Sequence, residues 1–267
     1  MTQLCLAGFR CHLEPESGDF AFAENLAPFV CPALAPPDLT IGLSVSPGWR
    51  EEHASLPAPV VNSTDSGLEF IRRNGTLTAS ADFSRCHAVV DPCDAAPFAS
   101  QPWLMLSLWG YVTWHQGLFL HGALCEYADK LILLLGDPQV GKSTLSRLLG
   151  ASGGASLTDE YPFVTRSAGN FTAHASPWPG VQGQPQALAG PLSAIFFLRH
   201  APTNRLQALD HRSAALRLIR NNRFFQWNPE TVPAAMELID ALASQTPVYD
   251  FGFVPDASAV RALEVVL

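Results

Sequence analysis

The feature that most constrains the fold of this chain is the string Gly136-Asp137-Pro138-Gln139-Val140-Gly141-Lys142-Ser143, which satisfies G-x-x-x-x-G-K-[ST]. The string works only between a buried strand and a helix. Leu131–Leu135, an unbroken apolar run just before it, predicts that strand, and Ser143–Leu149 predicts the helix. An α/β fold follows. Gly136 and Gly141 let the backbone curl so that successive N–H groups point inward at phosphate. Lys142 brings a point charge to the β- and γ-phosphates, and the Ser143 hydroxyl can complete a Mg²⁺ coordination sphere. Asp137, Pro138, Gln139 and Val140 complete the loop, and Thr144 adjoins it in the first helical turn. ATP with Mg²⁺ is the expected ligand.

Composition removes several other classes. The chain has 267 residues, 48% hydrophobic and 15% charged, enough to bury a sizeable core in one large domain or two modest ones. Its formal net charge is -8 and no stretch clusters Lys and Arg, so a nucleic-acid partner is set aside. The N-terminus lacks a basic start followed by a long apolar run, so it does not read as a signal peptide. The most apolar helical segment, Trp103–Trp114, is too short to span a bilayer. The expectation is a soluble, cytoplasmic protein that works away from membranes. The six cysteines include no CxxC pair and are expected to be reduced structural thiols. A tripeptide recurs as Arg10-Cys11-His12 and Arg85-Cys86-His87, but its spacing does not suit structural zinc.

Residues 1–102 are expected to form a smaller β-rich N-terminal region with substrate recognition as its candidate role, and 103–267 the P-loop catalytic domain. Leu39–Val45 alternates apolar and polar residues as a half-buried strand does. Leu68–Arg73 and Thr76–Ser80 flank Asn74-Gly75, a strong hairpin signal. Prolines punctuate the region, and Pro92–Pro102 is the expected boundary. Trp103 to about His115 is apolar nearly all round and predicts a buried helix. Strands are predicted at Leu118–Tyr127, Lys130–Leu135, Ser156–Thr158, Leu192–Leu198 and Val248–Phe253, with a hairpin pairing Phe163–Arg166 and Phe171–His174. Helices are predicted at Ala214–Asn221 and Pro233–Ala243, with a last one capped by Asp256.

Two further signals bear on chemistry. Asp159-Glu160 ends a short predicted strand seventeen residues after Lys142. Strand C-termini of an α/β sheet gather at one crevice, so these carboxylates are expected beside the P-loop. One can accept a proton from an attacking hydroxyl while the other orients Mg²⁺. His121-Gly122 lies fifteen residues before Gly136, on the preceding strand. Alone, it reads as a half-buried strand histidine.

In order and spacing, His121-Gly122, Gly136-Asp137 through Gly141-Lys142-Ser143, and Asp159-Glu160 resemble the catalytic domain of HPr kinase/phosphorylase and its relatives. The resemblance implies a PEP-carboxykinase-like P-loop fold over 103–267 and ATP-dependent transfer of phosphate to a hydroxyl. It implies Asp159 as the acid–base group, His121 near the transferred phosphate, and Lys142 as a catalytic charge. Ser143, Asp159 and Glu160 are the implied metal ligands, and a homo-oligomer is allowed. Glu160 stands where the family usually has aspartate. The Arg-Gly segment that follows the acidic pair in HPr kinases is replaced by Ala175-Ser176-Pro177-Trp178-Pro179-Gly180 and a Gly/Gln/Pro stretch to Gly190. The N-terminal region also differs. The chain therefore looks more like the HPr-kinase-related proteins found beside bacterial peptide-modification genes.

The expected activity is thus Mg-ATP-dependent phosphorylation of a serine-type hydroxyl on a peptide, protein or small molecule. A regulatory or assembly protein that binds ATP without transfer, and a simple NTPase, are the alternatives. Trp178 is either an exposed wall beside an acceptor or a core residue. Arg199, Arg205 and Arg220 are candidates for touching phosphate, against the commoner surface role.

Overall fold

The structure is a computed structural model and describes residues 2–56, 58–95, 102–178, 180 and 183–267. Alternation builds the N-terminal unit. Leu39, Ile41 and Leu43 are fully buried on one side of an interior strand, third in a seven-stranded sheet. Its strands are β1 (Thr2–Leu6), β2 (Phe9–Ser17), β3 (Leu39–Val45), β4 (Val60–Thr64), β5 (Gly67–Arg72), β6 (Gly75–Ser80) and β7 (Arg85–Val90). They are ordered β1-β2-β3-β7-β6-β5-β4. β2, β3 and β7 run parallel, while the other neighbours are antiparallel. A single-turn helix, α1 (Trp49–Glu52), follows β3, and α2 (Trp103–Trp114) closes the unit. The expected hairpin is β5–β6, with Arg72 opposite Gly75, so its two-residue turn is Arg73-Asn74. Gly75 has φ 150°, and a side chain there would meet the Val89 carbonyl.

The repeated Arg-Cys-His now has a structural reason. One copy lies on β2 and the other on β7, on either side of β3, and in each the cysteine is buried between two more exposed neighbours. Burial pushes the Cys11 thiol far up and the Cys86 thiol up to about 12, as suits inert core residues. The expectation that all cysteines are thiols is corrected at one pair: Cys5 on β1 is disulfide-bonded to Cys31, with Cα atoms 5.9 Å apart.

The two compact units are Met1–His115 and Gln116–Leu267, so α2 belongs to the first and not to the second, with which the sequence grouped it. Its apolar circumference buries Leu104, Leu108, Tyr111 and Val112 among the residues of that unit. The proline-rich boundary lies partly outside the described residues, at 96–101. Among the described residues, no helix is long and apolar enough to cross a membrane.

The second unit holds β8 (Gly117–Phe119), β9 (Gly122–Tyr127), β10 (Lys130–Leu135), α3 (Lys142–Ala151), β11 (Ala155–Thr158), β12 (Phe163–Ser167), β13 (Asn170–His174), β14 (Ala189–His200), β15 (Arg205–Ala208), α4 (His211–Asn221), α5 (Thr231–Gln245), β16 (Val248–Phe253) and α6 (Ser258–Glu264). The expected strand Leu118–Tyr127 is broken into β8 and β9 by Leu120-His121, because β8 pairs with β12 while β9 pairs with β10. β10 and β14 are parallel, as are β14 and β16. β14 is long enough to serve two neighbourhoods: its start pairs antiparallel with β13, and its end lies between β10 and β16.

Both faces of β10 are covered. Leu131, Leu133 and Leu135 pack with Leu218 of α4 and Leu238, Ile239 and Leu242 of α5. Ile132 and Leu134 pack with Leu145 and Leu149 of α3 and Val260 and Leu263 of α6. This double cover explains why β10 reads as a continuous apolar run and not as an alternation.

His174 on β13 adds a pH-dependent element. It is buried, its Nε2 lies 2.7 Å from Thr165 Oγ1, and burial pushes its pKa down from 6.5 to about 4. The folded state keeps the ring neutral, whereas the unfolded chain protonates it near its ordinary value. Stability is therefore fully present above pH 6.5 and is lost as pH falls towards 4. The loss assigned to this residue is about 3 kcal/mol. In urea unfolding at neutral and acid pH, His174→Gln should show a decline smaller than wild type by about that amount.

Candidate active site

The loop Gly136–Gly141 leaves the C-terminal end of β10 and turns with positive φ at Gly136 (138°), Gln139 (67°) and Gly141 (98°). A Cβ at Gly141 would come within 2.8 Å of the Phe253 ring, so both its backbone and its surroundings require glycine. Gly141 is the N-cap of α3 and offers no side chain to the first-turn amides. Such N–H groups, together with the positive end of the helix, favour an anion. Lys142 is only 8% exposed, and its Nζ donates to the carbonyls of Gly136 (2.8 Å) and Asp137 (3.1 Å). Its ammonium thus lies over the first half of the loop. Burial lowers its pKa, outweighing the opposing pull of Asp137 and Asp159.

β11 lies next to β9 in the sheet and brings Asp159-Glu160 to the same end as the loop. Ser143 Oγ donates to Asp159 Oδ2 at 3.0 Å. Asp159 is 6% exposed. Glu160 has its pKa raised, first by burial and then by the neighbouring Asp159 charge. The Glu160 carbonyl accepts from the Gly122 N–H at 3.0 Å, which ties the acidic pair to the His121-Gly122 strand start. Among the described residues, the buried His121 Nδ1 has no hydrogen-bond partner. Burial, then the charges of Lys142 and Arg223, lower the His121 pKa, which favours the neutral ring.

A serine hydroxyl against one carboxylate, with a second carboxylate adjacent in the chain, is an oxygen donor set suited to Mg²⁺. That ion is commonly held by one or two carboxylates plus phosphate oxygens and not by an all-protein cage. Among the described residues, no group of three or more His, Cys, Asp or Glu side chains could hold a metal by itself. The residues present therefore fit a cation that arrives with a polyphosphate.

Sequence reasoning missed Asn221. It ends α4, its Oδ1 accepts from the Gly136 N–H at 3.3 Å, and its carbonyl accepts from the His121 N–H at 3.3 Å. One residue thus braces the first glycine of the loop and the histidine together. A single asparagine at a helix end carries no sequence signal for this, because both partners are remote in the chain. Arg217 and Arg223 were missed as well. With Arg220 they line a cavity of about 560 Å³ that also reaches His121 and Gly136–Pro138. Of the three arginines singled out from sequence, only Arg220 is there. Arg199 pairs with Asp250 at 2.7 Å, and Arg205 is exposed on the short strand β15.

Trp178 is a core residue and not an exposed wall. It is 3% exposed, its ring lies 6.1 Å from that of Phe163, and its carbonyl accepts from Thr158 Oγ1 at 2.6 Å. Pro179 lies outside the described residues. Gly180 has φ 66°, and a side chain there would run into the Asp159 carboxylate, so a glycine backbone rests on the acidic pair.

Fold and site define a mixed α/β chain with a P-loop sequence at the end of a central strand and two carboxylates beside it. The chain belongs to the family described as SynChlorMet cassette protein ScmC, whose model matches residues 93–240, more than half of its length. Among solved structures it is similar to the Hpr(Ser) kinase/phosphatase from Coxiella burnetii, at 12% identity and a TM-score of 0.32, covering 55% of this chain and 96% of that one. No curated protein matches it.

Proposed function

We propose that this chain is a Mg-ATP-dependent kinase that transfers the γ-phosphate to a serine-type hydroxyl of a peptide, protein or small molecule. The observation that carries the reading is the 3.0 Å hydrogen bond from Ser143, in the first turn after the P-loop, to Asp159, a buried carboxylate at the end of the neighbouring strand. It supports Asp159 as the general base, because the carboxylate lies beside the position where such a motif would hold polyphosphate.

In this mechanism the loop amides and Lys142 neutralise the phosphate oxygens, and Asn221 keeps Gly136 and His121 in register. The acceptor oxygen attacks the γ-phosphorus as the bond to the β-bridging oxygen breaks and ADP leaves. The acceptor proton passes to Asp159. Ser143 and Glu160, with Asp159 alongside, would hold Mg²⁺, whose charge stabilises the transferring phosphoryl group when bound. Neutral His121 can orient a phosphate oxygen without adding charge. Membership of a cassette family fits an acceptor of the peptide type, in line with the resemblance to kinases encoded beside peptide-modification genes.

The test is a labelled-ATP transfer screen over serine-containing peptides and small hydroxyl compounds, with Lys142→Ala as control. Label should appear on an acceptor with the wild-type chain only. The cover that Gly180 places on Asp159 favours one second reading, an ATP-binding assembly protein without transfer. Nucleotide-dependent association with no label transferred and no ADP formed would establish that reading in place of the first.

A further inference from the structure

The cavity on the α4 side of the loop has a chemistry that phosphate binding by the motif does not use. It is lined by Gly136–Pro138 but by none of Gly141, Lys142, Ser143 or Thr144, the second half of the motif. Lys142 reaches the β- and γ-phosphates in such loops, and here its Nζ sits on the carbonyls of Gly136 and Asp137. The γ end of a nucleotide bound in this way would lie over the first half of the loop, where this cavity begins. From there the cavity runs to Arg217, Arg220 and Arg223.

Three guanidinium groups line the cavity of a chain whose net charge is -8, and Asp137 is the single carboxylate among the described residues that line it. Arg217 is committed to the wall, with Nη1 2.6 Å from Asp250 Oδ1 and its guanidinium 5.6 Å from the centre of the Phe197 ring. Arg220 and Arg223 are exposed at and just beyond the end of α4. The Arg223 N–H donates to the Phe119 carbonyl at 2.7 Å, and Leu120 bridges to Asn222. The backbone that presents the arginines is thereby tied to the segment leading into His121, so the cluster is fixed relative to the reacting end of the site. Planar guanidinium donors on such an anchored backbone match carboxylates bidentately.

We propose that this cavity is the acceptor subsite and that it selects a peptide whose hydroxyl is flanked by carboxylate side chains, read by Arg220 and Arg223. This deepens the kinase reading and rests on it for the word acceptor. The bland alternative is that the arginines attend to the nucleotide itself.

Two serine hexapeptides, identical except for a pair of Glu or a pair of Gln beside the serine, separate these cases. Their binding is measured by calorimetry on the full chain with Mg²⁺ and the β,γ-imido analogue of ATP, which cannot transfer. The Glu peptide should bind at least about tenfold tighter, roughly 1.4 kcal/mol, and added salt should erode the difference. Arg220→Glu should abolish the preference and favour a third peptide carrying Lys at those positions, a gain that mere structural damage would not produce. Equal binding of the Glu and Gln peptides overturns the proposal. So does an Arg220→Glu chain that loses the ATP analogue and keeps its peptide preference. If Arg220-dependent preference for Glu is found but labelled ATP phosphorylates neither peptide, the anionic subsite stands and the kinase reading falls.

Discussion

Asp159→Asn should cut phosphoryl transfer by about 10²- to 10⁴-fold while leaving ATP binding in place. The substitution is chosen for what it preserves. Asparagine has the shape of aspartate, so it fits the same place beside Gly180. Its carbonyl oxygen can still accept from Ser143 Oγ, now 3.0 Å from Oδ2. What it removes is the negative charge, and with it the capacity to take up the acceptor proton. Single-turnover transfer of labelled phosphate, beside calorimetric titration with ATP, reads the two quantities separately. Transfer at the wild-type rate would remove Asp159 from the role of base. Loss of ATP binding alone would make it a ligand of the nucleotide–cation complex.

Lys142→Ala should abolish both transfer and the stabilisation that nucleotide gives the fold. Removing one charged group that acts on the developing phosphoryl charge costs about 10²- to 10³-fold in kcat by itself, and weaker nucleotide binding adds to that loss. The apo fold should survive. Lys142 carries a buried charge whose partners in this structure are two backbone carbonyls of its own loop, and burial already disfavours its protonated form. Alanine therefore removes an electrostatic cost along with two hydrogen bonds. In thermal unfolding, Mg-ATP should raise the wild-type Tm and leave that of the variant unmoved. An equal rise in both would mean that the motif does not bind the phosphates.

Wherever local pattern decides conformation, the sequence was informative. Lys130–Leu135 and Val248–Phe253 lie where their apolar runs place them, and the hairpin β12–β13 differs from expectation only at its ends. Glycine at 136 and 141 was legible because left-handed backbone leaves few other choices. What escaped was set by partners far along the chain. His121 was expected inside a strand, yet it lies at a break created by two different neighbours, β12 and β10. Asn221 and Arg223 gain meaning only when α4 is docked against the segment before His121. Trp178 was ambiguous because a tryptophan between prolines suits a surface loop and a core edge equally well; contact with Phe163 decides it. Cys5 and Cys31 were read as thiols because the chain is neither small nor visibly secreted; the bridge between Leu4 and Val30 that brings them together joins segments 26 residues apart and has no local signal.

The parallel pairing of β10 with β14 has a consequence for the order in which this protein is made. The motif is complete in the nascent chain once Ser143 has been added, but β10 then lacks the neighbour on its other edge, residues 192–197, and Gly136 lacks the amide of Asn221. A ribosome-bound fragment ending at α3 would carry every letter of the phosphate-binding signature and no pocket. The brace on Gly136 arrives only after α4 has been synthesised, so the loop sequence leaves the ribosome well before the residue that holds its first glycine.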